Sequence, residues 1–206
     1  MQNSKVELYS TSPQFVLGFH GCDKTVADNV IKYGEMLKSS TNDYDWLGSG
    51  IYFWEQNYQR AWDWALECQK RKCDAFEPAV IGAVIDLGLC LDLLNSSSIH
   101  ELKAHFETFS MNIEIANGVF PKNVAGPDKL LRRLDCAVIE SLHAERSDEG
   151  LPPYDSVRAV FTEANPIYPE AGFKEKSHIQ LCIRNPNCIK GFFEPRDVDP
   201  NWSVPH

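Results

Sequence analysis

The hydrophobic positions in the first two thirds of the chain alternate between helical spacing and short apolar runs. Thr25–Tyr33 has apolar residues at helical intervals, with Asp23 or Thr25 placed to cap the helix and Gly34 to end it. Ala79–Leu87 is apolar almost throughout and has strand length, which predicts a buried strand. The same patterns predict strands at Phe15–Phe19 and Trp46–Trp54, and helices at Tyr58–Cys68, at Ile99–Phe109 and within Lys129–Leu142.

The last third of the chain is dominated by short strands. Val157–Thr162, His178–Ile183 and Ile189–Phe193 read as strands separated by turns that contain Pro and Gly. Helices first and strands afterwards predict the α+β class. No internal repeat or linker composition divides the 206 residues, so we expect a single domain over residues 1–206.

Composition and charge exclude several classes of protein. Hydrophobic residues make up 43% and charged residues 24% of the chain, which is ordinary for a globular protein and excludes a disordered or fibrous one. Twenty Lys and Arg against 29 Asp and Glu give a net charge of −9, which disfavours a broad surface for nucleic acid. No apolar run approaches the roughly 20 residues of a membrane helix, and the N-terminal stretch lacks a secretory pattern. Seven cysteines without a CxxC pair predict reduced thiols in the cytoplasm and no metal site.

Three segments each place a polar residue on a predicted strand or at its end. They are Gly18–Cys22 (GFHGC), Gly48–Phe53 (GSGIYF) and His178–Pro186 (HIQLCIRNP). No glycine motif of the doubly wound or P-loop nucleotide-binding type is present.

In this order, the three segments resemble the ADP-ribosyltransferase superfamily, on the branch of diphtheria toxin and the poly(ADP-ribose) polymerases. That branch carries His-Gly on its first strand, a tyrosine in a G-[IFL]-Y-[FS] strand, and a glutamate in a late strand of the form E-Y-I-V-Y-D-P. Gln180 stands where the family has its glutamate, while Arg184, Asn185 and Pro186 stand at its second tyrosine, aspartate and proline.

The resemblance implies an α+β fold of the split β-sandwich type, with two packed sheets that clasp NAD and helices on the flank. It implies three catalytic residues, which are His20, Tyr52 and Gln180. It implies NAD contacts from His20, Gly21, Ser49, Tyr52, Arg60, Trp62 and Trp64.

These residue types suit cleavage of the bond between nicotinamide and ribose. The reaction passes through an oxocarbenium-like centre, so the protein has to hold the sugar rigidly and stabilise positive charge. An imidazole at His20 can hydrogen-bond a ribose hydroxyl, and Gly21 leaves its backbone free to pair with the carboxamide. Tyr52 offers a stacking wall. The family's second aromatic wall falls on Asp63 here, between Trp62 and Trp64; we favour Trp64, which shares a helix face with Ala61.

Gln180 departs from the family pattern in a chemically important way. It keeps a hydrogen bond but loses the negative charge, and an amide cannot act as a general base. We therefore expect transfer of a single ADP-ribose unit and no polymer. The loop Tyr168–Ser177 lies where the family recognises its acceptor, so Phe173, Lys174 and Glu175 are candidate acceptor contacts, with Glu175 a candidate base.

The resemblance leaves the acceptor and the biological context open. It implies a bacterial toxin, effector or phage-defence factor with NAD as co-substrate and a macromolecular acceptor, and it makes an antitoxin a candidate partner. The charge of −9 slightly favours a protein acceptor over a nucleic acid. Three alternatives stand beside this interpretation: a silent module that binds NAD or ADP-ribose, an NAD glycohydrolase, and an RNA 2′-phosphotransferase of the same fold.

Overall fold

A computed structural model describes residues 15–72 and 76–205 of the chain. The helices are α1 Lys24–Tyr33, α2 Tyr58–Lys72, α3 Ser96–Ile115 and α4 Arg133–Asp148, with a 3₁₀ turn at Pro186–Cys188. The strands are β1 Phe15–Asp23, β2 Ile51–Glu55, β3 Pro78–Asp86, β4 Cys90–Asp92, β5 Asn123–Val124, β6 Leu131–Arg132, β7 Ser156–Phe161, β8 His178–Ile183 and β9 Ile189–Phe193. The predicted α+β class is confirmed.

Helix α1 begins and ends as its sequence predicts. The Asp23 carboxylate accepts a hydrogen bond of 2.9 Å from the Thr25 N–H, which satisfies one of the free donors at the helix start. Gly34 ends the helix in the left-handed conformation, with φ of +71°, which glycine adopts without strain.

The predicted strand Trp46–Trp54 is wrong in its first half, because the chain turns at Gly48. Gly48 has φ of +78°, and the Tyr52 hydroxyl donates to its carbonyl oxygen at 2.6 Å. The same hydroxyl accepts from the Leu47 N–H at 2.9 Å, so residues 46–50 fold back beside β2 and do not extend it.

The other differences from the predicted elements lie mainly at helix ends and in very short strands. Helix α2 continues to Lys72 and α3 to Ile115, beyond the predicted ends. Helix α4 begins only at Arg133, because Leu131–Arg132 pairs with Asn123–Val124 in a small hairpin. Strands of two or three residues, as in this hairpin and β4, carry too few positions for alternation to reveal them.

The expectation of two packed sheets is wrong for the described residues. Seven strands form one sheet in the order β4-β7-β8-β2-β1-β3-β9, and β5-β6 form a second, two-stranded sheet. Within the large sheet, β1 and β2 are paired over only two positions, Gly18 with Glu55 and Phe19 with Trp54. Beyond these pairs the two strands separate. By contrast, β1 pairs with β3 along all nine of its residues. The strands that carry His20, Tyr52 and Gln180 are therefore neighbours, with an opening between the first two.

Helices cover both faces of the large sheet. Helix α1 packs on one face, over a core that includes Phe53, Ile81 and Leu181. Helix α4 and the Leu47 loop cover the other face at the β7-β8 end, where Tyr52 and Cys182 pack. Helix α2 covers that second face at the β1-β3 end, where Ala61 packs with Trp54 and Val80.

Candidate functional site

His20 lies where β1 and β2 separate. Its Nδ1 is 2.7 Å from the main-chain carbonyl oxygen of Tyr52. A carbonyl only accepts, so Nδ1 carries the proton. Burial lowers the pKa of His20, which favours the neutral ring, although the hydrogen bond to Tyr52 opposes this effect. In that tautomer Nε2 is an acceptor, and it has no partner among the described residues. The ring thus offers a fixed acceptor at the opening.

Tyr52 presents its ring, and not its hydroxyl, to the rest of the site. Both hydrogen bonds of the hydroxyl go to the Leu47–Gly48 turn, and burial raises the pKa of Tyr52 far above its ordinary value. The ring packs beside Cys182, its direct neighbour on β8. A phenol held in this way can act as an apolar wall but not as a proton donor to a ligand.

Gln180 lies in a polar cluster that the sequence analysis did not assemble. It pairs directly with Trp54 across β2 and β8, so both side chains are on the same face as Tyr52. Around them lie Arg60, Glu163 and His178. These five residues are named the Trp54 cluster: Trp54, Arg60, Glu163, His178 and Gln180.

The Trp54 cluster contains several buried polar atoms without partners. Trp54 Nε1, Arg60 Nε and Nη1, His178 Nε2 and Gln180 Oε1 make no hydrogen bond within the part of the chain that the structure describes. Such an atom costs about 1–3 kcal/mol when it is left unsatisfied. Five of them in one place indicate a site that a polar ligand or water would complete.

Arg60 and His178 shape the electrostatics of the cluster. Arg60 is 7% exposed and its guanidinium lies 5.4 Å from the centre of the Trp54 ring. His178 Nδ1 donates to the Lys176 carbonyl oxygen at 2.8 Å, and burial lowers the pKa of His178 to about 4. His178 is therefore neutral at pH 7, with Nε2 as a buried acceptor. The cluster combines donors from Trp54 and Arg60 with acceptors from His178 and Gln180.

Gly21 lies where α2 crosses β1. A Cβ at this position would be 2.0 Å from the Ala61 carbonyl oxygen, so only glycine allows the helix to approach this closely. The two predicted tryptophans follow on α2. Trp64 lies between Trp54, at 5.9 Å between ring centres, and the Arg71 guanidinium, at 4.6 Å. Trp62 is half-buried on the same core.

Ser49 lies at the other end of β2 from the Trp54 cluster. Its N–H donates to the Glu140 carboxylate, and its carbonyl oxygen accepts from Arg184 at 3.3 Å. Arg184 also pairs with Glu140 at 2.7 Å. Tyr52 and Ser49 therefore belong to one end of the site, whereas Gln180, Arg60 and Trp64 belong to the other.

The predicted acceptor loop is a closed turn with two exposed aromatic side chains, Tyr168 and Phe173. Phe173 is 66% exposed. Lys174 is paired with Asp128 at 3.2 Å, so its charge is partly neutralised. Glu175 is exposed and accepts from the Asn165 N–H and side chain, each at 3.4 Å.

Trp54, Glu163 and His178 are site residues that sequence reasoning missed. His178 and Gln180 are two apart on one strand, so alternation alone places them on the same face. Glu163 and Arg60 come from distant parts of the chain, and no local pattern joins them.

An apolar cavity adjoins this face of the sheet. Its volume is about 470 Å³, and it lies between α3, α4 and β7. Its lining includes Phe161, Phe106 and Ala159, of which Ala159 pairs directly with Gln180. The cavity is thus the nearest alternative place for an apolar ligand.

The described residues also bear on metal binding and on membrane spans. No group of three or more His, Cys, Asp or Glu side chains there could hold a metal ion. None of the helices in residues 15–72 and 76–205 is long and apolar enough to cross a membrane.

Comparison with known proteins gives a distant relative without an assigned activity. The chain is 27% identical over 192 residues to the uncharacterized protein MJ0359 of Methanocaldococcus jannaschii, covering 84% of this chain and 83% of that protein. No family model and no solved structure matches the chain. The function has to be argued from the geometry of the site.

Proposed function

We propose that this protein binds NAD where β1 and β2 separate and transfers one ADP-ribose unit to a macromolecule, with release of nicotinamide. The observation that carries the proposal is the Trp54 cluster, with unpartnered polar atoms around Gln180, on the strand next to the one that bonds His20. The register between β1 and β2 is limited to two pairs, which leaves the opening proposed for NAD.

His20 would orient the ribose. Its Nδ1–H is fixed by the Tyr52 carbonyl, so Nε2 accepts a hydrogen bond from a sugar hydroxyl without a proton having to move. The strand alternation places His20 on the face of Ile81 and Phe53, which is opposite to the face of Gln180, and its ring meets the Tyr52 main-chain carbonyl at the opening. The sugar is therefore expected in the opening itself.

A carboxamide matches the donors and acceptors of the Trp54 cluster. Its oxygen can accept from Trp54 Nε1 or Arg60, and its NH₂ can donate to Gln180 Oε1 or His178 Nε2. Nicotinamide carries such a group on a flat ring. The Tyr52 ring and Trp62 are the proposed apolar walls, because the Trp64 ring is already in contact with Trp54 and the Arg71 guanidinium.

The proposed reaction is cleavage of the bond between ribose and nicotinamide, and its rate depends on how well the site stabilises positive charge on the ribose. The bond between the ribose C1′ and the nicotinamide nitrogen breaks, and nicotinamide leaves with the electron pair. A neutral Gln180 opposes the developing positive charge less than a carboxylate would, so slow, single transfer is expected. The chain's net charge of −9 repels phosphates and therefore favours a protein acceptor over a nucleic acid.

A silent module that binds NAD or ADP-ribose is the second candidate. Trp54 is 5% exposed and Arg60 7% exposed, so these side chains fill the space next to Gln180. The side-chain oxygen of Gln180 is itself buried, so a ligand reaches it only if a neighbouring side chain moves. This closed arrangement, together with the missing carboxylate, favours binding without turnover.

Labelled NAD distinguishes the two candidates. We expect the wild type to release nicotinamide and to label a lysate component that protease removes and nuclease does not. Gln180→Glu is expected to increase the rate, since it restores the charge next to the sugar. His20→Ala is expected to lower it about 100-fold, as for other positioned hydrogen-bonding groups, while His100→Ala, at an exposed histidine, serves as the control.

Each outcome has a defined meaning. NAD binding without nicotinamide release by the wild type supports the silent module. Release without a labelled macromolecule indicates a glycohydrolase. Absence of NAD binding contradicts both candidates.

A further inference from the structure

The proposed transfer needs a group that accepts the acceptor's proton. When a hydroxyl, thiol or amine of the acceptor attacks C1′, its proton has to leave. The side-chain amide of Gln180 cannot take it at any ordinary pH. The base must come from elsewhere in the site.

Glu175, the base candidate from the sequence, is poorly placed. It is exposed, and its carboxylate is engaged by Asn165 on the outer part of the loop. Its hydrogen-bond partners belong to the turn itself. Among the described residues, no hydrogen bond or ion pair joins its carboxylate to the Trp54 cluster.

Glu163 lies at the base of the acceptor loop, just before the loop leaves the sheet. Its carbonyl oxygen accepts from the Lys176 N–H at 3.2 Å, which closes the loop at its base. Its carboxylate lies 3.6 Å from Arg60 Nη2 and 3.6 Å from His178 Nδ1. The side chain is only 8% exposed. Glu163 thus stands between the proposed nicotinamide site and the acceptor loop.

The Glu163 carboxylate lies close to Arg60 and His178 but makes no hydrogen bond to either side chain. Both 3.6 Å contacts are longer than a hydrogen bond, so its lone pairs stay available. Burial raises the pKa of Glu163, and the charges of Arg60 and Lys176 oppose that effect. The charged and titratable groups around it are Arg60 and Glu67 from α2, Lys176 and His178 from the β8 side, and Asp128.

The backbone next to Glu163 is fixed in an unusual conformation. Ala164 has φ of +66°, which is unfavourable for any residue with a Cβ. The Asp128 carboxylate accepts from the Ala164 N–H at 2.9 Å and stabilises this conformation. The same carboxylate pairs with Lys174. Asp128, which is not part of the Trp54 cluster, therefore fixes the backbone next to Glu163 and so helps to orient its side chain.

We propose that Glu163 is the general base that deprotonates the acceptor, a role that rests on the proposed function. In this step the bond from C1′ to nicotinamide breaks and nicotinamide keeps the electron pair. A bond forms between C1′ and the acceptor atom. The acceptor's proton passes to the Glu163 carboxylate and then to solvent.

The pH profile of transfer tests this role with matched variants. Glu163→Gln is expected to lower the rate of label transfer about 100-fold and to remove the acid limb of the profile, because the amide cannot take the proton. Glu163→Asp keeps a carboxylate and is expected to retain the limb at a reduced rate. Glu107→Gln, at an exposed position of α3, is the control and should leave rate and profile unchanged.

The outcomes separate this proposal from the function it rests on. A wild type that releases no nicotinamide contradicts the proposed function, and the role of Glu163 falls with it. A wild type that transfers label while a folded Glu163→Gln does so equally, with its acid limb intact, contradicts Glu163 alone. Should Glu163→Gln fail to fold, an unchanged rate and profile in Glu163→Asp contradicts the role, and a lower rate with a displaced limb supports it.

Discussion

The ring and the hydroxyl group of Tyr52 have different roles. Its ring lies on the sheet face that carries Gln180, whereas its hydroxyl holds the turn at Leu47 and Gly48. The ring is available to a ligand and the hydroxyl is not. A substitution that removes only the oxygen therefore reports on the turn alone.

Tyr52→Phe is expected to destabilise the fold by about 1–3 kcal/mol, because the buried Leu47 N–H loses its partner. Chemical denaturation with far-UV circular dichroism measures the change. Tyr33→Phe, at a residue 75% exposed, should have no effect. Equal unfolding midpoints for Tyr52→Phe and the wild type would show that the turn does not depend on the hydroxyl.

At the scale of elements, the contact between β1 and α2 determines the shape of the site. The helix passes so close to Gly21 that the backbone of Ala61 occupies the space of a side chain. This contact places Arg60 and Trp62, the neighbours of Ala61, beside the β1-β2 opening. Close packing against α2 therefore explains why residue 21 is glycine, independently of its proposed backbone contact with a carboxamide.

Gly21→Ala is expected to lower the free energy of unfolding by at least about 2 kcal/mol, because the new Cβ would meet the Ala61 carbonyl oxygen at 2.0 Å. For a chain of this length that corresponds to about 5 °C in the melting temperature. Gly191→Ala in β9 is the control, since a Cβ there would meet nothing within 4 Å. An unchanged melting temperature for Gly21→Ala would contradict the close packing.

The sequence predicts the longer strands well, but it predicts neither the shortest strands nor the grouping of residues at the site. Strands β8 and β9 have the predicted bounds, because alternating side chains and flanking turn residues mark both ends. The two-residue strands of the β5-β6 hairpin have no such signal. The strands of His20, Tyr52 and Gln180 are neighbours, but the grouping of Arg60 with Glu163 arises only from tertiary packing.

At the scale of the whole molecule, two buried histidines make stability depend on pH. His143 on α4 is only 3% exposed, and neither of its ring nitrogens has a hydrogen-bond partner in the described residues. Burial lowers the pKa of His143 to about 4, and that of His178 to about 4 as well. The two lie in different parts of the second sheet face, so their effects should add.

Acid is expected to destabilise the protein well before its carboxylates titrate. An unfolded histidine binds a proton near pH 6.5, whereas these two resist it until about pH 4, so stability is complete above pH 6.5 and falls as the pH decreases towards 4. Each contributes up to about 3 kcal/mol to this loss. Urea unfolding at pH 7, 6, 5 and 4 measures it.

His143→Leu should flatten part of this pH dependence, because one buried imidazole fewer then takes up a proton on unfolding. His100→Leu, at an exposed position, should leave the slope unchanged. A slope that is the same in wild type and His143→Leu would contradict the buried neutral state of His143.

The most direct test of the account is a crystal structure of the protein with an uncleavable NAD analogue. The account predicts a ribose hydroxyl within hydrogen-bond distance of His20 Nε2, and a carboxamide against Trp54, Arg60 and Gln180. An analogue bound instead in the apolar cavity between α3 and α4, or anywhere without contact to His20 and Gln180, would contradict it.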